Sequence, residues 1–253
     1  MLYLLYFSPT GGTERVCRLL AGAWEEEGRP VDLTRRDADV SRLRLGAEDI
    51  CLVAVPAFAG RVPQIAAQRL GQLTGGGAQA VPVAVFGNRA WEDTLLETRD
   101  LLLERGFRCP AAVAAVAEHS IFRQYGAGRP DEEDRRQLAA FSQQLRQHLA
   151  QFPEGTVAVP GHHPYRAYGK PGLLPAVSAA CTGCGRCAAG CPVGAISAGR
   201  PAAIDTGRCI GCLRCVSLCP AGACQTDAAA VAAAAQRMEP LFCERKENEL
   251  FLA

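Results

Sequence analysis

The sequence predicts an α/β fold, a doubly wound parallel sheet, followed by a small α+β domain built around cysteines. Three observations carry this prediction. Apolar runs of strand length alternate with amphipathic stretches up to residue 151, and a Pro- and Gly-dense segment, 152–177, then breaks the alternation. Beyond it, between residues 181 and 224, a cysteine block recurs at an offset of 28 positions.

Composition narrows the class. At 253 residues the chain is long enough for one or two domains, and with 49% hydrophobic residues and a formal net charge of +1 it has an ordinary globular balance. Nothing in that charge points to nucleic acid. The N-terminal MLYLLYFSPTGG is apolar but too short to span a bilayer, and it lacks a basic leader region. No later run approaches the roughly eighteen apolar residues of a spanning helix. The expectation is a cytoplasmic protein with no membrane span and no nucleic-acid partner.

Residues 2–7, LYLLYF, form a continuous apolar run, as expected of a parallel strand covered on both faces. Ser8, Pro9, Thr10, Gly11, Gly12 and Thr13 follow, and then a helical pattern with Val16, Leu19, Leu20, Ala23 and Trp24 on one face. A strand, a hydroxyl-rich glycine loop and a helix make an anion site: helix N-terminal amides and the positive dipole end face the anion, and glycine permits close approach. The loop has no Walker lysine and does not read G-x-G-x-x-G, which argues against a nucleotide triphosphatase and a Rossmann dinucleotide site.

The second strand is expected at 31–34 and the third at 49–55, ending in the loop that carries Phe58, Gly60 and Arg61 before a helix at 64–73. The fourth, 81–86, ends in Gly87, Asn88, Arg89 and Trp91, with a helix running to Arg105 and stopped by Gly106. A fifth strand fits 111–117. The acidic run at 131–134 opens a last helix with Leu138, Phe141, Leu145 and Leu149 inward. Five strands alternating with helices imply a parallel, doubly wound sheet.

Each cysteine block spells C-x2-C-x2-C-x3-C-P, with Cys181, Cys184, Cys187 and Cys191 in the first and Cys209, Cys212, Cys215 and Cys219 in the second. Three thiolates two residues apart wrap one face of an iron–sulfur cube, the fourth ligand comes from elsewhere, and proline turns the chain away. Structural zinc would leave the regular third cysteine and the Cys-Pro unexplained. Disulfides do not suit cysteines concentrated in one segment with no secretory signal. Cys17, Cys51, Cys109, Cys224 and Cys243 lie outside these positions and read as small buried apolar residues, with Cys224 packing near a cluster because it takes the repeat position of Ile196.

The blocks resemble bacterial dicluster ferredoxins. That resemblance implies two [4Fe-4S] clusters with crossed ligation: Cys181, Cys184, Cys187 and Cys219 on one, and Cys209, Cys212, Cys215 and Cys191 on the other. The loop at 8–13 fits S/T-x-T-G-x-T and resembles the FMN phosphate loop of flavodoxins. This implies a flavodoxin-like sheet in the order 2-1-3-4-5, with FMN at its switch point. By the same resemblance Ser8, Thr10, Gly11, Gly12 and Thr13 bind phosphate, and Phe58 and Trp91 pack on the isoalloxazine. Gly60, Gly87 and Asn88 lie in the loops that bring backbone amides near the ring, and Arg61 and Arg89 face an anionic reduced flavin.

The expected boundaries are a flavodoxin-like domain at 1–151, a linker at 152–175, a ferredoxin-like domain at 176–228, and a C-terminal helix and tail at 229–253. His162 and His163 in the linker lack a partner in sequence for a metal site, and His119 reads as a surface histidine. The whole architecture resembles the EFR-family ferredoxins of anaerobic bacteria. It implies an electron carrier between FMN, two clusters and redox partner proteins. A flavin-dependent reductase fed by the clusters, and a redox-sensing module with a vestigial flavin site, are the alternatives. No nucleophile–base pair or nicotinamide site is present, so no acid–base catalyst is assigned. The charged residues of 176–228 sum to +2, which calls for a partner of negative charge.

Overall fold

A computed structural model describes residues 1–253. The first half builds β1 (Leu2–Tyr6), α1 (Gly12–Leu20), β2 (Arg29–Asp32), β3 (Ile50–Pro56), α2 (Gln64–Leu70), β4 (Gln79–Phe86), α3 (Thr94–Glu104), β5 (Ala111–Val116) and α4 (Glu132–Gln151). The second half adds β6 (Ala176–Val177), α5 (Arg186–Gly190), α6 (Arg214–Leu218), β7 (Cys224–Gln225), α7 (Ala228–Phe242) and β8 (Glu249–Leu252). Each predicted strand of the first domain is present, displaced by no more than two residues at an end.

The main sheet runs β2-β1-β3-β4-β5-β8, with the first five strands parallel and β8 antiparallel beside β5. Alternation along β1 explains why a continuous apolar run is needed. Leu2, Leu4 and Tyr6 enter one core with Val16, Cys17 and Leu20 of α1 and Leu138, Leu145 and Leu149 of α4. Tyr3 and Leu5, with Phe7 just beyond, enter the opposite core with Ala66 and Leu70 of α2 and Leu102 of α3. Successive side chains point to opposite faces, and both faces carry helices. Burying each large aliphatic side chain contributes about 1.5–3 kcal/mol.

Asp131 caps α4 by accepting from the backbone N–H of Glu133 and Asp134, and Asp134 reaches back to the Asp131 N–H, which fixes the start of the acidic helix. The Pro- and Gly-rich segment is not loose. Asp93, at the start of α3, accepts from the N–H of His162 at 3.0 Å and of Arg166 at 2.8 Å, while Tyr165 donates to Asp100 at 2.7 Å and Tyr168 to Glu97 at 3.0 Å. His162 lies 3.5 Å from Asp93 and His163 3.1 Å from Asp100, so the carboxylates that meet these histidines come from the cap and body of α3.

The tail takes a position the sequence leaves open. β8 extends the first sheet, pairing Phe251 with Ala112 and Leu250 with Val113. Asn248 accepts from the Val116 N–H at 2.8 Å and donates to Asp134 at 3.0 Å. The cysteine domain is therefore held between a docked strap and a returning helix and strand.

Candidate cofactor sites

The cysteine domain folds as two copies of one turn. In the first, Gly183 and Gly185 have positive φ of 74° and 73°; in the second, Gly211 and Leu213 occupy the same places at 66° and 57°. These left-handed residues bend each C-x2-C-x2-C run before the short helices α5 and α6. Leu213 accepts a conformation that costs an L side chain about 1–2 kcal/mol, and it is buried. The last cysteine of each block is treated alike. Cys191 Sγ accepts from the Ala195 N–H and Cys219 Sγ from the Ala223 N–H, both at 3.2 Å.

The thiols form two groups. One cavity is lined by Cys181, Cys184, Cys187 and Cys219, with Cys224 beside them. In the other group, Cys212 has Cys215, Cys191 and Cys209 as its charged neighbours. Burial pushes the Cys212 thiol up to about 12, so holding it as a thiolate calls for positive charge among the sulfurs, which iron supplies. No three His, Cys, Asp or Glu side chains converge tightly enough for a single ion. Each group offers thiols alone, the soft donor set of iron–sulfur centres, and the residues fit iron–sulfur binding.

At the other site, Gly11 at φ 91° starts α1. Ser8 Oγ accepts from the Glu14 N–H at 2.9 Å, which folds the loop over the helix end. The N–H groups of Thr10, Gly11, Gly12 and Thr13 donate to no group in the chain, and neither threonine hydroxyl is bonded. A helix start always leaves amides free, and here two unbonded threonine hydroxyls beside them add further donors. The loops after β3 and β4 leave the same sheet edge on adjacent strands. The donor set fits a phosphate group.

Residues 180–223 match the model of the 4Fe-4S dicluster domain. The first domain has the parallel order β2-β1-β3-β4-β5, the flavodoxin-like arrangement. The chain joins a flavodoxin-like domain to a 4Fe-4S dicluster domain. Similar solved structures include a flavodoxin of Streptococcus pneumonia TIGR4, 18% identical, with the match covering 58% of this chain and 97% of that one at a TM-score of 0.41. Another is a short-chain flavodoxin associated with a non-canonical PDU bacterial microcompartment, 16% identical, covering 58% and 98% at 0.39. No curated protein matches the chain.

In the flavodoxin-like domain the remaining candidates divide. Phe58 is half-buried and faces Arg61 across a tight turn, Phe58 N–H to Arg61 O at 2.9 Å and the reverse at 3.1 Å, with Ala59 and Gly60 both at positive φ. Such a turn needs a left-handed residue at both central positions. Trp91 is half-buried with its ring 5.0 Å from Phe86. Gly87 lies against His119, which a side chain there would strike.

The charged and amide side chains are engaged within the protein. Arg61 is buried, pairs with Glu97 through two bonds of 2.8 Å, and lies 4.0 Å from the Tyr168 ring of the strap. Asn88 donates to the carbonyls of Phe242 and Glu244 at 2.7 and 2.9 Å and so holds the end of α7. Arg89 pairs with Glu92 at 2.7 Å. The Asp93 N–H donates to Gly60 O at 3.0 Å, joining the two loops.

His119 differs from a surface residue. Its Nδ1 accepts from the N–H groups of Ile121 and Phe122 at 3.1 and 3.0 Å, and burial, with the charge of Arg89, lowers its pKa to about 4. Cys17, Cys51 and Cys109 are buried as expected, but Cys243 is exposed at the end of α7, where its neighbours belong to the surface of the helix. Cys224 lines the first cysteine cavity while its hydrogen bond lowers Cys215 of the second group to about 7. It sits between the two groups.

Sequence reasoning missed Arg214, which reaches from the dicluster domain to within 3.4 Å of both Ser8 O and Pro9 O. The signal was its place in the repeat opposite Arg186, but nothing in either block says which face docks.

Proposed function

We propose that the protein is an electron carrier binding one FMN and two [4Fe-4S] clusters, exchanging electrons among them and with redox partner proteins. The observation that supports this most is the packing of a dicluster domain against a loop whose amides and hydroxyls are left unpaired. A flavin supplies exchange of two electrons one at a time, and each cluster carries one.

In this reading Ser8, Thr10, Gly11, Gly12 and Thr13 hold the phosphate, with Ser8 acting through the loop it folds. Phe58 and Trp91 border the ring, and the loops of Gly60 and Gly87 present backbone amides to it, while the absent side chains of these glycines make room for Glu92 and His119. Arg61, Asn88 and Arg89 act indirectly, fixing the two loops against the strap and α7. Cys181, Cys184, Cys187 and Cys219 hold one cluster, and Cys209, Cys212, Cys215 and Cys191 the other. Thiolate-held iron suits a reducing cytoplasm. Cys184 is exposed with Arg186 and Arg200 nearby in the same domain, so the redox partner presents acidic groups to that face.

Protein purified without oxygen and freed of loosely held cofactor should contain about eight iron, eight sulfide and one FMN per chain. Full iron with no flavin, after FMN has been offered, would overturn the flavin half of the reading. Flavin without iron would overturn the other half.

A further inference from the structure

Arg214 stands between Cys212 and Cys215, so its backbone belongs to a cluster loop, yet its guanidinium lies on the loop that follows β1. Nη1 is 3.4 Å from Ser8 O and 3.4 Å from Pro9 O, long contacts for a charged donor. Nε is buried and has no hydrogen-bond partner at all. A buried guanidinium N–H left unpaired is costly. Two carbonyl oxygens at the edge of hydrogen-bonding range do not satisfy a fork of five donors.

Ile210 packs into the core beneath β1 and β3, and Arg69 donates to Pro192 O at 3.0 Å, so the dicluster domain is seated on the flavodoxin-like domain by contacts on both cysteine blocks. The loop that Arg214 reaches also carries the unpaired amides of residues 10–13 and two unbonded threonine hydroxyls. The loop amides and the guanidinium offer more donors than the Ser8 and Pro9 carbonyls can take, and an anion completes such a set.

We infer that Arg214 is a phosphate ligand of the flavin site, supplied by the cluster domain. The inference rests on the FMN reading and adds a residue that the strand–loop–helix motif does not contain. The dicluster domain thereby closes the flavin site, and a single side chain touches both the flavin's phosphate and the loop of the Cys209, Cys212, Cys215 and Cys191 group. Arg186 occupies the equivalent repeat position but is exposed.

The test compares FMN with riboflavin, which lacks the phosphate, on the cluster-loaded full chain by flavin fluorescence quenching. Arg214→Gln should weaken FMN by about tenfold or more, the scale of a charge-assisted hydrogen bond. Riboflavin affinity and iron content should be unchanged. Arg214→Lys should recover part of the FMN affinity by restoring the charge, and Arg186→Gln should change nothing. Unchanged FMN affinity in Arg214→Gln, or equal losses for FMN and riboflavin, would overturn the assignment while leaving the FMN reading intact. A parent protein that binds neither flavin would overturn both.

Discussion

Cys191 and Cys219 each end one block and lie with the thiols of the other, Cys219 beside Cys181, Cys184 and Cys187, and Cys191 beside Cys209 and Cys212. This crossing is what makes the small domain one unit. Cys219→Ser should therefore lose the cluster of the first block: the paramagnetic spectrum of the reduced variant should match that of Cys184→Ser and differ from that of Cys212→Ser. A match to Cys212→Ser would contradict the crossed assignment. At this scale the two cysteine runs are legible because their spacing is local, while the place of Cys191 and Cys219 with the opposite run comes only from the resemblance to dicluster ferredoxins. The loop of residues 8–13 was legible for the same reason. Arg61 and Asn88 were not, because what they touch, Glu97 at a separation of 36 residues and Phe242 at 154, is set by tertiary packing.

Helices and strands of the first domain follow from their patterns, since β1, β3, β4 and β5 are almost wholly apolar, while the edge strand β2, RPVD, is half exposed. β8 is different. Four residues, ELFL, carry too little pattern to name the sheet edge they join, and only the polar contacts show why they join β5. Asp134, fully buried at the start of α4, accepts from Arg129 Nε at 2.8 Å and from Asn248 Nδ2 at 3.0 Å, and Asn248 bonds β5 in turn. Asp134→Asn leaves Arg129 buried without its counter-charge. It should cost about 3–5 kcal/mol of stability, read from the urea midpoint at neutral pH. A loss below about 1 kcal/mol, the level of an exposed pair, would show that the network does not hold the tail.

Over the whole molecule, two cofactor-type domains are legible in the sequence while their mutual seating is not. Pro and Gly density marks a boundary between 152 and 177 but says nothing of Tyr165, Arg166 and Tyr168 lying along α3. The strap on one side and α7 with β8 on the other return the dicluster domain to the same sheet, and Arg69, Ile210 and Arg214 fill the junction. Fixed seating is the property a carrier needs for transfer inside one chain. The most direct test is to reduce the flavin of the FMN-loaded anaerobic protein with a light flash in the presence of a sacrificial amine donor, and to follow the cluster absorbance at several protein concentrations. The account predicts cluster reduction at a rate independent of concentration. A rate that rises in proportion to concentration, or clusters that stay oxidised after the flavin is reduced, would contradict it.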